Sequence, residues 1–252
     1  MRIKSVATAA LILIIGGCAG IQTAPTPEEK RALAPTGKLR AAMLANSPTH
    51  AAAADIGREL ARRLGVPFEA VTYRGDRALV DSIKSGQWDI IFTGTSPERA
   101  KDLDFSAPYA QIDTGYLVAS GSSISSMSEV DRPGVRIAVQ AKGAADRLVT
   151  PITKVATVIR VATIADAIEM LRSGQADVVP ANKTNLFPAV DRLPGSRILE
   201  GRIGFSEQGI GVRKGGGPGI TYVRKFVEEA KSQGFIREAI ERAGVRGLTA
   251  AP

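Results

Sequence analysis

The sequence predicts an α/β fold made of two similar units, and three observations point there. Between Lys38 and Thr93 the apolar pattern switches in the order strand, helix, strand, helix, strand, which is how a parallel sheet with covering helices reads. A second strand–helix–strand run occupies residues 158–179. The two runs also echo one another. Val80-x-x-Ile83-x-x-Gly86-x-x-Asp89 and Ala167-Ile168-x-x-Leu171-x-x-Gly174-x-x-Asp177 each read as a helix, a glycine stop and an Asp leading a strand.

Each element has its own warrant. Residues 38–44 (KLRAAML) are a short strand. Residues 51–64 are a helix, with Ile56, Leu60 and Leu64 four apart and Gly65 as its stop. Phe68 to Tyr73 alternates as a strand. Residues 76–85 are a helix with Leu79, Val80 and Ile83 inward, and 88–93 (WDIIFT) is a buried strand. Residues 97–105 read as a helical turn and loop, 114–119 and 135–140 as strands, with Lys142-Gly143 opening a helix. Then come a strand at 158–161, a helix at 164–173 that Asp166 suits at its positive end, and strands at 176–179, 197–199 and 209–212. Gly215–Gly219 lacks the Lys-Ser/Thr of a phosphate loop and reads as a turn. Helices at 220–233 and 235–243 close the chain.

Composition narrows the function. The chain has 252 residues, 44% hydrophobic and 23% charged, an ordinary globular balance. One Cys and one His leave no disulfide framework and no His/Cys metal site, and no cofactor is expected. The net charge of +8 comes from basic residues scattered among acids, with few aromatics. That excludes a nucleic-acid footprint and suits anionic ligands or lipid.

The N-terminus reads as an export signal. Arg2 and Lys4 precede an apolar run from Val6 to Ile15, too short to span a bilayer. Ile15-Gly16-Gly17-Cys18 resembles a bacterial lipobox. The resemblance implies a signal peptide over 1–17, lipidation of Cys18 and a membrane-anchored lipoprotein of the cell envelope, held by several acyl chains. Residues 18–37, rich in Ala, Pro, Thr and charge, read as a flexible tether.

The segment Thr93-Gly94-Thr95-Ser96-Pro97-Glu98-Arg99 follows a strand's carboxyl end, where α/β sheets bind ligands. Gly94 permits close approach, the threonines offer hydroxyls, and Arg99 offers a fork matched to a carboxylate. At this point a resemblance becomes specific. GKLR, ELARRLGV, IKSGQWDIIFTGTSPERAKDLDFSAPY, VRIAVQAKG, LRSGQADVV and GIGVRKG, in that order, resemble the type II periplasmic solute-binding proteins that deliver amino acids to ABC importers. The resemblance runs from Lys38 to about Ala243.

It implies a two-lobed periplasmic-binding-protein type II fold with a ligand cleft between the lobes. Lobe 1 would be residues 38–109 plus 209–252 and lobe 2 residues 113–203, with crossings near 110–112 and 204–208 and hinge closure on the ligand. It implies that Arg99 holds the ligand's carboxylate with Thr93 and Thr95, unless Arg99 pairs with Asp102 or Asp104 instead. In lobe 2 it points to Gln140, Lys142 and Gly143. Lys142 either supplies charge or is simply solvated. An acid that pairs with an α-ammonium in amino-acid binders is replaced by Asn182, which contacts the ligand or caps the next helix. Glu207 is the candidate compensating acid. Asn46 and His50 belong to the loop forming the other wall, His50 as ligand contact or helix cap. Tyr109 edges the cleft or packs the hinge.

The expected function is a monomeric, non-enzymatic binding protein. It captures a small carboxylate-bearing solute for an ABC permease in the inner membrane. Two alternatives remain: an enzyme of the same fold, resembling cyclohexadienyl dehydratases, with Glu207 as its acid, and a sensor acting through a separate protein.

Overall fold

A computed structural model describes residues 24–252. The signal peptide and Cys18 lie outside the described residues. In chain order the elements are α1 (Pro27–Leu33), β1 (Leu39–Leu44), α2 (His50–Leu64), β2 (Phe68–Tyr73), α3 (Asp76–Asp81), β3 (Ile90–Gly94), β4 (Leu103–Phe105) and β5 (Ala110–Val118). They continue with β6 (Arg136–Gln140), α4 (Ala144–Val149), β7 (Thr157–Val161), α5 (Ile164–Arg172), β8 (Val178–Asn182), α6 (Lys183–Arg192) and β9 (Arg197–Ile198). The last are β10 (Gly204–Arg213), α7 (Pro218–Ser232), α8 (Phe235–Ala243) and β11 (Leu248–Ala250).

The strand order is β2-β1-β3-β10-β5-β8-β6-β7. At one end β1 pairs in parallel with β2 and β3; at the other β6 pairs in parallel with β7 and β8. Between them β5 and β10 run antiparallel, from Gly204 opposite Thr114 to Gln208 opposite Ala110. Each end is buried on both faces. Leu39, Ala41, Met43 and Ile90 pack with α2, α7 and α8 on one face, and Ala42, Ile91, Leu79 and Trp88 pack on the other. Tyr116, Val118 and Ile137 form one face of the second unit, and Leu117, Ala138 and Val179 the other. Burial on both faces is why these strands read as continuous apolar runs.

Three differences from the sequence reading matter. The tether expected over 18–37 contains α1. Thr26 and Glu29 form a reciprocal cap (Glu29 N–H to Thr26 Oγ1 3.2 Å, Thr26 N–H to Glu29 Oε2 2.7 Å) with Pro27 at the first turn, a strong start signal. Leu33 is fully buried in the first core, close to Gly219 of α7, where an added Cβ would stand 3.2 Å from Leu33 Cδ2. The folded body therefore begins near Thr26 rather than Lys38. The strand expected at 114–119 begins at Ala110, because 110–114 is in register with β10. The loop read over 97–105 ends in β4, and β11 was not foreseen; these three-residue strands draw their ladder bonds from β10 and β5.

Candidate functional site

The first half of the site is built at the carboxyl end of β3. Arg99 folds back over Gly94. Its Nη1 donates to the Gly94 carbonyl (3.1 Å) and its Nη2 donates to both oxygens of Asp76 (2.6 and 2.7 Å) at the start of α3. The predicted alternatives Asp102 and Asp104 are not its partners; Asp104 pairs with Lys214. A guanidinium has five N–H donors, so donors remain for an incoming carboxylate. Gly94 gives this contact room: a Cβ would stand 3.3 Å from Arg99 Nη1, a tight approach, and 3.5 Å from Gln208 Nε2, an ordinary one.

The threonines are placed differently. Thr93 is buried, and the Thr95 methyl lies where a Cβ on Gly209 would come within 2.9 Å. Gly209 is the register partner of Thr93, so both threonines lie across the pleat from the Gly94–Arg99 contact. The expected grouping of Arg99 with the Thr93 and Thr95 hydroxyls is not formed. In the loop after β1, Asn46 is exposed. His50 is the first residue of α2, half-buried, with its Nδ1 3.0 Å from the Leu44 carbonyl; it ties the loop to its own strand.

The second half lies in the other unit. Gln140, Gly143 and Asn182, three of the predicted residues, line one cavity of about 80 Å³ together with Ala144, Pro180 and Asn185. Asn182 ends β8 and sits at the cap position of α6, but its side chain caps nothing. Its Oδ1 instead accepts a hydrogen bond from the fully buried Thr114 hydroxyl (3.1 Å). Lys142 is outside this cavity. It is exposed, holds φ of 59°, and spends its N–H on Asp146 (2.9 Å) and its carbonyl on Arg147 (2.8 Å). Its backbone makes it a turn residue.

Strand register joins the halves. Gly94 opposes Gln208, Gly204 opposes Thr114, and Thr114 opposes Asn182. Directly opposed residues share a face and alternate residues along a strand do too. Gln208, Ser206, Gly204 and Thr114 therefore lie on one strand face, a continuous floor from Gly94 and Arg99 to Asn182 that also carries Ala110 and Ile112, both buried in the first core. Gln208, Ser206 and Thr114 were missed in the sequence; only the β5–β10 register reveals them. Glu207, alternate to Gln208, points to the opposite face, with Phe205 and Asp113. It is not the acid of this floor. Tyr109 is buried edge-on against Phe92 (5.8 Å), and burial pushes its hydroxyl pKa up; it packs the core.

Among the described residues no cluster of His, Cys, Asp and Glu could hold a metal, and no helix is long and apolar enough to cross a membrane. Two α/β units joined by paired strands, with an arginine at one end of a shared strand face and a small amide-lined cavity at the other, define a two-lobed binding protein of the type II periplasmic class. Residues 52–242 match the bacterial extracellular solute-binding proteins, family 3, and the chain belongs to that family. It is 24% identical over 195 residues to the ABC transporter glutamine-binding protein GlnH of Bacillus subtilis, covering 75% of this chain and 70% of GlnH. Among solved structures it resembles a mutant of ArgBP from T. maritima (TM-score 0.69, 24% identity, 86% of this chain and 99% of that one). It also resembles an amino acid ABC transporter substrate-binding protein from Streptococcus pneumoniae bound to L-arginine (TM-score 0.68, 21% identity, 88% and 99%). A third is the ancestral amino acid-binding protein AncCDT-1, a precursor of cyclohexadienyl dehydratase (TM-score 0.69, 21% identity, 84% and 98%).

Proposed function

We propose that this chain is the extracytoplasmic solute-capturing component of an ABC importer. It binds a small carboxylate-bearing solute between lobe 1 (residues 38–109 and 209–252, with α1 added) and lobe 2 (113–203). The observation that carries the reading is Arg99, held over Gly94 by Asp76 on the same sheet face that leads to Asn182. The two crossings, 110–112 and 204–208, are one antiparallel ladder, so a bend or twist of two strands closes the lobes. The names of GlnH and of the Streptococcus pneumoniae protein support the transport role. Lipidation of Cys18 would keep the protein at the membrane beside its permease, and a monomer suffices for the task.

The enzyme reading, which the name of AncCDT-1 keeps in view, needs a carboxyl on the cleft face. Glu207, its only nominee, faces away from that floor.

Thermal denaturation with a panel of amino acids, hydroxy acids, keto acids and dicarboxylates tests the proposal, with Arg99→Ala in parallel. A ligand at 100 times its Kd adds about 2.7 kcal/mol, a rise in Tm of roughly 5–11 °C for a chain of this size. The expected outcome is a shift that Arg99→Ala abolishes. A shift that survives Arg99→Ala refutes the site while leaving the family intact.

A further inference from the structure

The cleft floor is charged at one end only. Beyond Arg99 its polar side chains are all neutral: Gln208, Ser206 and Thr114 on the paired strands, then Asn182, Gln140 and Asn185 at the cavity. Ser206 Oγ is the one buried side-chain polar atom among the described residues without a hydrogen-bond partner. It lies midway along this floor, between the Gln208 and Thr114 positions. Its strand partner on this face is Ile112, which is buried in the first core, so the hydroxyl is enclosed by the protein and does not line the cavity at Asn182.

The acids around the floor are accounted for. Nine carboxylates lie between residues 113 and 203. Eight of them hold an Arg, a Lys or backbone N–H groups. Asp146, closest along the chain to Gly143, is taken up by Thr150, Arg160 and the Lys142 N–H. The ninth, Glu200, is exposed and does not line the cavity. In lobe 1 the loop Ala45–Thr49 contains no acid, Asp76 is committed to Arg99, and Glu207 points off the floor.

We propose that this cleft selects a carboxylate whose other polar groups are uncharged, such as a hydroxy acid or an N-acylated amino acid, and discriminates against the α-ammonium of a free amino acid. The inference rests on the carboxylate-binding cleft proposed above. An ammonium drawn out of water needs an opposite charge, and amides and hydroxyls offer none. Asn182 fits the same account. Its Oδ1 accepts the Thr114 hydroxyl with one lone pair, and its NH2 donors match a hydroxyl or carbonyl oxygen; neither group supplies the negative charge an ammonium needs.

Isothermal titration of the full chain with matched pairs tests this: L-phenylalanine against L-phenyllactate, L-glutamate against L-2-hydroxyglutarate, and L-glutamine against N-acetyl-L-glutamine. The expected result is a preference of about ten-fold or more for the ammonium-free member of at least one pair. Asn182→Asp should shrink or invert that preference. An α-amino member that binds as tightly as its partner, or more tightly, overturns the inference; if Arg99→Ala abolishes that binding, the carboxylate cleft itself stands. Binding that ignores Arg99→Ala overturns the cleft as well. Failure of every pair at millimolar concentration also overturns the inference, and the wider panel then judges the cleft alone.

Discussion

Asp89 and Asp177 occupy equivalent places in the two lobes and are worth different amounts. Each stands three residues after a helix-stopping glycine and clamps an arginine on its lobe's central strand. Asp89 accepts the Arg40 N–H (2.9 Å), Nε (3.1 Å) and Nη2 (2.7 Å). Asp177 accepts the same three groups of Arg136 at 2.8, 3.0 and 2.8 Å. Burial separates them: the side chains of Asp89 and Arg40 are 0% and 17% exposed, those of Asp177 and Arg136 33% and 41%. One local pattern thus serves as a buried ion pair in lobe 1 and a partly exposed one in lobe 2. The lesson is that the hydrogen bonds are set by the motif, but their energetic weight is set by what packs over it.

The most severe way to break this comparison is to remove each carboxylate. Asp89→Ala strands a shielded guanidinium and should cost about 3–5 kcal/mol. Asp177→Ala leaves a partly exposed Arg136 that water can reach and should cost less. Urea unfolding of the two variants measures both. Equal losses would mean that burial does not govern the clamps.

Acid sharpens the comparison next. In lobe 2 the Arg136 hydrogen bond leads in holding the Asp177 carboxyl below its ordinary range. Burial raises the Asp146 carboxyl, but Thr150, the Lys142 N–H and Arg160 outweigh it and leave it lowered. Backbone N–H groups of Ala156, Lys154 and Val155 lower Asp131. Groups depressed on folding stabilise the native state above their unfolded pKa of about 3.9, and that stability is lost as the pH falls through their folded values. Lobe 1 depends on fewer such groups, Glu59 and Asp104 among them. Hydrogen exchange should therefore lose protection first around α4 and the 150–157 segment as the pH drops below about 4. Earlier loss in β1 and β2 would contradict this.

The clamps also mark how much of the molecule could be read beforehand. The glycine–Asp echo was visible because it is local, but the arginines lie 49 and 41 residues away from their acids and follow no periodicity. The start of β5 is legible in principle, since Ala110, Ile112 and Thr114 are buried while Gln111 and Asp113 are not. The start of α1 is equally local, since Thr26, Pro27 and Glu29 carry its capping signal within four residues. At the site, Arg99 could be named from its loop, whereas Asp76, 23 residues earlier, could not. Gln208 and Ser206 were distinguishable from Glu207 only by strand parity, which needs the register. Sequence reasoning thus found the residues whose role follows from their neighbours in the chain, and missed those whose role follows from a partner strand.

Lys142 is the smallest test and separates structure from function. At φ of 59° it sits in the left-handed region, which costs a non-glycine residue roughly 1–2 kcal/mol. No counterpart exists in the β3–Arg99 loop, since the other described residues with positive φ are glycines. Lys142→Gly relieves that strain and gives back about 0.4–1 kcal/mol through the freer unfolded chain. The net expectation is a stabilisation of about 0.5–1 kcal/mol, seen as a rise in Tm of roughly 1–4 °C, with solute affinity unchanged. A lower Tm would mean that the Lys142 side chain contributes packing or charge that outweighs its strained backbone. An unchanged or higher Tm with lost affinity would return Lys142 to the ligand site, and would give lobe 2 a cation to match Arg99 in lobe 1.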